Sequence, residues 1–305
     1  MTVSDLLGTD VDRACHILRK GGIVGMPTET VYGLAARALD ESAVSRVFST
    51  KGRPTNHPLI VHVHPDADAR KWGIISAHAD SLMKKFWPGP LTLLVPRTSL
   101  VPDWVTGGRD SVALRIPAHP MAIELLRCVD DGVVAPSANM FGRVSPTTAQ
   151  HVVHDLGDRV DYVLDGGPCS VGIESTIVDC VGESLSILRP GAITATHIAE
   201  VTGLTLTDNI GESRAPGMLL SHYSPTATVV LSANRNEAME KVASLEHDGF
   251  SVLLIDEPNE KDLARDLYGS LRSADDKGYT HVVVVNPRGI GLSAAIRDRL
   301  TKASA

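Results

Sequence analysis

A loop that places two cations beside a glycine is the most informative short segment of the sequence. Lys51 and Arg53 flank Gly52 in STKGRPTNHPLIVHV, residues 49–63, and an apolar strand-like run follows them. Two cations on a glycine-containing loop can form a binding site for an anion such as phosphate. The alternative is a solvated surface patch, which is what such a pair forms by default.

A second polar loop follows another apolar run. The segment APSANMFGRVSPTT, residues 135–148, contains Ser137, Asn139, Arg143 and Ser145 on a backbone bent by glycine and proline. Hydroxyl, amide and guanidinium groups together can bind the phosphates and ribose of a nucleotide. A capped turn would use the same serine and asparagine. PSAN does not match the GxSxG elbow, which disfavours an acyl-serine hydrolase.

Other polar residues lie next to predicted strands. PTETVYGLAA, residues 27–36, follows a short buried strand, and ligands of open α/β sheets bind beyond strand ends. The same residues could instead begin a helix capped by Thr28 or Thr30. Arg115 lies inside the apolar run SVALRIP, where a buried cation needs a partner or a cleft. The two-residue period of a strand could also turn it outward. GGPCSVGIESTIVD and ILRPGAIT add polar residues that could each belong to an ordinary turn.

Several other kinds of site are disfavoured. No GxxxxGK[ST] loop is present, and VVVVNPRGIGLSAA lacks the later acidic residue of a dinucleotide site, so we interpret it as a tight strand–helix turn. His62 and His64 share one strand face without a third ligand at fixed spacing, so no metal site is predicted. The four cysteines form no CxxC pair, which favours free buried thiols over zinc or disulfides.

The composition also limits the class of protein. A net charge of −7 argues against a nucleic-acid coat or a polybasic membrane surface. No apolar run approaches the roughly 20 residues of a membrane span, and the first residues do not resemble a signal peptide. We therefore expect a cytoplasmic protein that neither enters a membrane nor binds nucleic acid stably.

The periodicity predicts two α/β domains. Helical and strand patterns alternate to about residue 205, which predicts one domain with a large sheet at 1–205. The polar, turn-rich residues 206–228 form a linker, and βα units at 229–305 predict a small parallel sheet. The linker is long enough to be functional. We interpret it as a candidate lid, with Tyr223 covering a bound nucleotide; the alternative is a connector whose Tyr223 packs between the domains.

The motifs, taken in order, resemble the YrdC/Sua5 family in its longer Sua5-type form. GGIVGMPTETVYGLAA, STKGRPTNHPLIVHV, FWPGPLTLLV, VALRIP, APSANMFGRVSPTT, ESTIVD and LRPGAIT follow the family's order. APGMLLSHYSP and the ending ARDLYGSLR…IRDRL look like its linker and C-terminal domain. The resemblance implies a YrdC-like open twisted mixed sheet with helices, followed by a small Rossmann-like parallel domain. Its hallmark is the combination of Lys51-x-Arg53 with Ser137-x-Asn139.

The resemblance also implies an activity. Family members act as L-threonylcarbamoyladenylate synthases, a class of nucleotidyltransferase. They join L-threonine, bicarbonate and ATP, with Mg²⁺ accompanying the ATP, and release pyrophosphate. The product serves the modification of tRNA position 37 by a downstream tRNA threonylcarbamoyl transferase complex.

The site residues that the resemblance implies fall into three groups. The hallmark residues, expected to act in catalysis, are Lys51, Arg53, Ser137 and Asn139. Threonine-binding positions match Thr30, His62, Arg115, Ala135 and Ser175. ATP-binding positions match Arg53, His57, Ser111, Ser137, Ser145, Arg189 and Tyr223. His57 stands where the family commonly has asparagine, so either it or the neighbouring Asn56 takes that role.

The sequence disfavours two other functions. An RNA-binding translation or assembly factor is disfavoured by the net charge and by the lack of aromatics among the basic residues. A carbamoyltransferase of the hydrogenase-maturation type would need zinc-finger CxxC motifs that this sequence does not contain.

Overall fold

A computed structural model describes residues 6–206 and 223–305. Within these ranges the chain forms a ten-stranded mixed sheet and a separate three-stranded parallel sheet. The strands of the large sheet are β1 (Leu7–Gly8), β2 (Val24–Met26), β3 (Gly33–Arg37), β4 (Ile60–His62), β5 (Leu91–Pro96), β6 (Ser111–Arg115), β7 (Val133–Val134), β8 (Tyr162–Leu164), β9 (Thr176–Asp179) and β10 (Ser186–Arg189). Their order across the sheet is β1-β8-β2-β3-β7-β4-β6-β5-β9-β10.

Helices accompany the large sheet. They are α1 (Val11–Arg19), α2 (Glu41–Lys51), α3 (Ala77–Phe86), α4 (Asp103–Thr106), α5 (Pro120–Val129), α6 (Ala149–Leu156) and α7 (Ala195–Thr202), with short 3₁₀ turns at Ala69–Lys71 and Gly157–Arg159. Side-chain caps set several helix starts: Asp10, Asp40 and Thr148 each accept a hydrogen bond from a backbone N–H of the first turn.

The large sheet is buried on both faces. In β3, Leu34 and Ala36 belong to one apolar cluster and Ala35 to another, as the two-residue period of a strand requires. The first cluster includes residues of α2 and α3, and the second includes residues of α1 and α5. The polar loops therefore emerge from a sheet that is packed against helices on both faces.

The second sheet comprises β11 (Thr228–Ser232), β12 (Val252–Ile255) and β13 (His281–Val285), accompanied by α8 (Arg235–His247), α9 (Glu260–Asp276) and α10 (Leu292–Ala303). Its order is β11-β13-β12, with every pair parallel. The core of this unit also takes in Val31, Val144 and Ile173 of the first unit. The two units therefore share an apolar interface.

The structure departs from the sequence-based expectations at two places. Thr28 and Thr30 do not begin a helix, because the backbone continues into β3, which pairs with β2 and β7. The expectation of free thiols is wrong for Cys15 and Cys128, which form a disulfide, and right for Cys169 and Cys180, which are buried and free. Packing of α1 against α5 brings the bonded cysteines together across 113 residues, a contact that sequence spacing does not reveal.

The predicted fold class, a large mixed sheet with helices followed by a small parallel α/β unit, is confirmed. Most of the candidate lid, residues 207–222, lies outside the described residues; Tyr223 is described. In the described part of the chain, no helix combines the length and apolar character that a membrane crossing would need.

Candidate active site

The polar loops converge on one cavity of about 50 Å³. Its described lining residues are Thr28, Thr30, Val31, Gly33, Arg53, Ile60, His62, Arg115, Ala135, Pro136, Ser137, Glu174, Ser175, Arg189 and Tyr223. The cavity therefore brings together all five residues assigned to threonine binding. It also holds Arg53, Ser137, Arg189 and Tyr223 from the ATP-binding set.

Strand pairing explains why residues distant in sequence meet here. His62 of β4 lies opposite Arg115 of β6, and both close their strands at the same edge. The PTET and APSAN loops are joined by backbone hydrogen bonds from Leu34 N–H to the Pro136 carbonyl and from Ala138 N–H to the Tyr32 carbonyl. The positions of these side chains are consequently determined by the sheet.

Three contacts hold Arg115 in the cavity. Its Nη2 pairs with Glu29 Oε1 at 2.7 Å, its Nη1 donates to Thr30 Oγ1 at 2.9 Å, and its Nε donates to the Gly89 carbonyl at 3.2 Å. Glu29 in turn accepts from the Ala118 N–H. Arg115 thus holds the PTET loop while presenting a guanidinium to the cavity, and such a fork suits a carboxylate.

His62 is a neutral imidazole beside this cation. Burial, reinforced by the charge of Arg115, lowers the pKa of His62 to about 3. Among the described residues, its Nδ1 has no hydrogen-bond partner. The ring can therefore accept a hydrogen bond from a ligand ammonium group without repelling it.

Two more guanidiniums complete the positive charge of the cavity. Arg189 donates from Nε to the Ser175 carbonyl and from Nη2 to Ser175 Oγ, both at 3.0 Å. Arg53 donates from Nη2 to the Pro58 carbonyl at 3.0 Å. Burial lowers the pKa of Arg53 to about 10, with Tyr223 opposing this shift and Arg189 adding to it. Both side chains remain cationic near neutral pH and favour an anionic ligand.

Lys51 and Asn139 are absent from the described lining and support the loop from behind. Lys51 Nζ donates to the carbonyls of Ser137 and Asn139, at 2.5 and 2.6 Å. Asn139 Nδ2 donates to the carbonyls of Met140 and Arg143. Burial, with a smaller contribution from the charge of Arg53, holds the pKa of Lys51 well below its usual value. Two of the four hallmark residues, Lys51 and Asn139, therefore support the loop that forms the cavity wall.

Three residues assigned to ATP binding also lie outside the described lining. Ser145 donates its hydroxyl to Glu174 Oε1 at 2.6 Å. His57 packs edge-on against Phe141. Ser111 begins β6, and Arg115 ends it, so about 13 Å of strand separates them. Ser145 thus contacts the cavity wall through Glu174, whereas Ser111 lies at the opposite end of β6 from Arg115.

Two carboxylates have a larger role than the sequence suggested. No individual role was predicted for Glu29 or Glu174, and both pair with buried arginines. One signal for the Glu29 pairing was available in the sequence. Arg115 lies inside an apolar strand and needs a partner, and Glu29 is a carboxylate close to the end of another predicted strand. Glu174 is reached by Arg299, 125 residues away, and that pairing has no local sequence signal.

The fold and the cavity define a class, an α/β protein with a buried binding site rich in guanidinium groups. The family model described as Telomere recombination matches residues 16–191, and the model of the threonylcarbamoyl-AMP synthase C-terminal domain matches residues 193–305. The chain belongs to the Sua5/YciO/YrdC family and has the C-terminal domain of its Sua5 members.

Relatives match almost the whole chain. A threonylcarbamoyl-AMP synthase of Pyrococcus abyssi is 36% identical over 95% of this chain and 93% of its own length. Its namesake from Bacillus subtilis is 35% identical over 99% of this chain and 96% of its own. A crystal structure of P. abyssi Sua5 complexed with L-threonine has a TM-score of 0.92 and 35% identity, covering 98% of this chain and 97% of that one.

Proposed function

We propose that the protein is an L-threonylcarbamoyladenylate synthase, which forms threonylcarbamoyl-AMP and pyrophosphate from L-threonine, bicarbonate and ATP. The observation that carries the proposal is the buried cavity in which Arg53, Arg115 and Arg189 face Thr30 and a neutral His62. Near full-length relatives with this name support it. The reaction makes the chain a nucleotidyltransferase, because AMP is transferred to a carboxylate.

The threonine subsite is proposed at the Arg115 end of the cavity. The guanidinium of Arg115 would bind the amino acid carboxylate, and Thr30 and Ser175 would offer hydroxyl groups. His62, neutral and without a described partner for Nδ1, would accept a hydrogen bond from the amino group. The Ala135 backbone would close the same side.

The proposed reaction needs no nucleophile from the protein. The threonine nitrogen bonds to the carbon of bicarbonate and hydroxide leaves, with loss of a proton, which gives a carbamate. A carbamate oxygen then bonds to the α-phosphorus of ATP, and the bond from that phosphorus to the bridging oxygen breaks. Pyrophosphate leaves with that oxygen. Arg53 and Arg189 would stabilise the charge that develops on the phosphates, and positioning supplies the remaining catalysis.

Magnesium would enter with ATP as part of the substrate. Glu29 and Glu174, the carboxylates beside the cavity, both pair with arginines. In the described residues no group of three His, Cys, Asp or Glu side chains could hold a metal ion. The residues present therefore do not fit a resident cation, and the ATP phosphates would provide the ligands for Mg²⁺.

A bound nucleotide requires the cavity to open. Pockets for ligands of this size measure roughly 300–1,000 Å³, against about 50 Å³ here. Tyr223 lines the cavity and is buried, so its displacement would give ATP access towards His57, Ser111 and Ser145. We propose on this ground that the linker, residues 206–228, acts as a lid through Tyr223.

The proposed setting is the cytoplasm, where the labile product would pass to a tRNA threonylcarbamoyl transferase complex. The function is tested by measuring pyrophosphate release with MgATP, bicarbonate and each amino acid in turn. Release that requires both L-threonine and bicarbonate is expected. Release that is independent of the amino acid would exclude the proposed reaction.

A further inference from the structure

A guanidinium from the last helix of the chain lies directly behind the cavity wall. Arg299 of α10 is fully buried. Its Nε donates to Glu174 Oε2 at 2.8 Å, and its Nη2 donates to the Pro190 carbonyl at 3.0 Å. Glu174 lines the cavity, and Pro190 follows Arg189, which also lines it. One side chain of the C-terminal domain thus reaches two parts of the site.

The same guanidinium contacts a third wall of the cavity. Arg299 Cζ lies 5.3 Å from the centre of the Tyr223 ring, and that ring stacks on Tyr268 of α9. A cation over an aromatic face is attracted by the ring. Arg299 therefore contacts Tyr223 as well, although it is not itself among the described lining residues.

Glu174 accepts hydrogen bonds from both units of the structure. Its Oε1 accepts the Ser145 hydroxyl at 2.6 Å, and its Oε2 accepts the Tyr268 hydroxyl at 2.9 Å as well as Arg299. Burial favours the neutral acid, but the charges of Arg299 and Arg189, with the bond from Ser145, lower the pKa of Glu174 to about 2. Glu174 is therefore ionised near neutral pH, and a buried carboxylate that is ionised needs a positive charge beside it.

We propose that Arg299 is a positioning residue for the nucleotide subsite: it neutralises Glu174 from behind, so that this carboxylate of the cavity wall does not repel the ATP phosphates. This inference rests on the proposed function, since it assigns the ATP phosphates to the Arg189 side of the cavity. Without Arg299, the buried negative charge of Glu174 would be only partly offset and would repel the incoming nucleotide. In this proposal the C-terminal domain contributes, through Arg299, to nucleotide binding in the first domain.

Substitution at Arg299 tests the proposal through ATP affinity. Arg299→Met should raise both the KM and the calorimetric Kd for MgATP about tenfold or more, the size of one lost charge-assisted interaction. The KM for L-threonine should change little, because Arg115 is held by Glu29. Adding Glu174→Gln to Arg299→Met should restore much of the ATP affinity, since it removes the uncompensated charge. Arg299→Lys should retain most of the affinity, because the positive charge remains.

A matched control separates positioning from docking of the two domains. Arg272 of α9 makes the other buried interdomain pair among the described residues, with Asp155 at 2.6 and 2.9 Å, and Asp155 is not among the described cavity-lining residues. Asp155→Asn should lower thermal stability without changing ATP affinity. If Arg299 only docked the domains, Arg299→Met would behave like Asp155→Asn, and Glu174→Gln would not rescue it. Should Arg299→Met fail to fold, Arg299→Gln tests the same loss of charge.

A pH profile gives a second readout. The charged and titratable groups that face Glu174 are Arg189, Arg299, Tyr223 and Tyr268, and Asp298 pairs with Nη1 of Arg299 beside them. In Arg299→Met the largest pKa-lowering group is gone, so the pKa of Glu174 rises and acid protonates the carboxyl. The ratio of variant to wild-type Kd for ATP should therefore fall towards one as pH is lowered.

The outcomes distinguish this inference from the proposed function. Wild-type protein that makes threonylcarbamoyl-AMP, with an Arg299→Met variant of unchanged ATP affinity, would overturn the inference alone. Wild-type protein that binds ATP but makes a different product would overturn the function, while the effect on ATP affinity would still support the role of Arg299. A double variant that binds ATP no better than Arg299→Met would also contradict the proposal.

Discussion

At the scale of single residues, each cation of the cavity has a partner that determines its direction. Arg115 is fixed by Glu29, Thr30 and a backbone carbonyl, and Arg189 is fixed by Ser175. Charged groups that are already fixed in direction need little reorganisation free energy when an anion binds. The three arginines can therefore act as a rigid receptor.

The Arg115 fork provides a first prediction. Arg115→Lys keeps the charge but loses the planar arrangement that holds Glu29 and Thr30 together. We expect the KM for L-threonine to rise about 10- to 100-fold, as for the loss of a charged hydrogen bond, while the KM for ATP changes little. Steady-state kinetics checks this, with the surface variant Arg37→Lys as the control. An unchanged KM for threonine would remove Arg115 from the subsite.

Lys51 gives a second prediction, because its geometry indicates support of the loop. Lys51→Met would leave the carbonyls of Ser137 and Asn139 without their donor. We expect a loss of about 2–4 kcal/mol in unfolding free energy together with lower kcat/KM. Urea unfolding and kinetics check this, with Lys241→Met as the control, since Lys241 also donates to a carbonyl. A variant of normal stability and no activity would point to direct phosphate contact instead.

His62 gives a third prediction, on the pH dependence of stability. Its pKa is about 3 in the folded protein and about 6.5 when unfolded, so the unfolded chain binds the proton first as the pH falls. Stability is lost from about pH 6.5 downwards, by roughly 2 kcal/mol between pH 7 and pH 5. Between pH 7 and pH 5, the unfolding free energy of His62→Asn should fall by about 2 kcal/mol less than that of the wild type. The unfolding free energy of His16→Asn, a variant at an exposed position, should fall as much as that of the wild type. Equal losses in all three would contradict a buried, neutral His62.

At the scale of the elements, the ends of strands carry the site. The paired ends of β4 and β6 present His62 and Arg115, and the loops after β2 and β7 supply Thr30 and Ser137. Tyr223 comes from the segment between the two sheets and has φ of 64°, a left-handed conformation that is uncommon for tyrosine. Its packing against Tyr268 and Arg299 maintains this backbone.

The lid gives a fourth prediction. Tyr223→Leu keeps apolar volume but removes the flat ring and hydroxyl that would cover the nucleotide. We expect weaker ATP binding and faster hydrolysis of threonylcarbamoyl-AMP on the enzyme, because water reaches the product. Product lifetime measured by mass spectrometry checks this, and Tyr223→Phe, which retains the ring, should lie nearer the wild type. If Tyr223→Leu lowers stability only, Tyr223 is packing between the domains.

The elements also show what the sequence could predict. Strands such as SVALRIP and helices such as α9 have strong local periodicity, so their limits were predictable. Strand β3 was not identified, because PTETVYGLAA is short and rich in small residues, and its pairing with β7 is set by the whole sheet. The Cys15–Cys128 bond and the Glu174–Arg299 pair join residues more than 100 positions apart, and no local pattern encodes them.

At the scale of the whole molecule, the two units form one functional body. Val31, Val144 and Ile173 of the first unit lie in the core of the second. Arg272 and Arg299 make buried ion pairs back into the first. Removing one partner of such a pair is costly, because it leaves a charge uncompensated. The short C-terminal domain therefore packs directly behind the wall of the cavity.

The most direct test of the account is to follow the carbon of bicarbonate. Protein incubated with MgATP, L-threonine and ¹³C-labelled bicarbonate should form an AMP adduct that contains threonine and one labelled carbon, together with an equal amount of pyrophosphate. Mass spectrometry of the quenched reaction measures both. ATP cleavage without the labelled adduct, or an adduct that forms equally with other amino acids, would contradict the assignment of this cavity to threonylcarbamoyl-AMP synthesis.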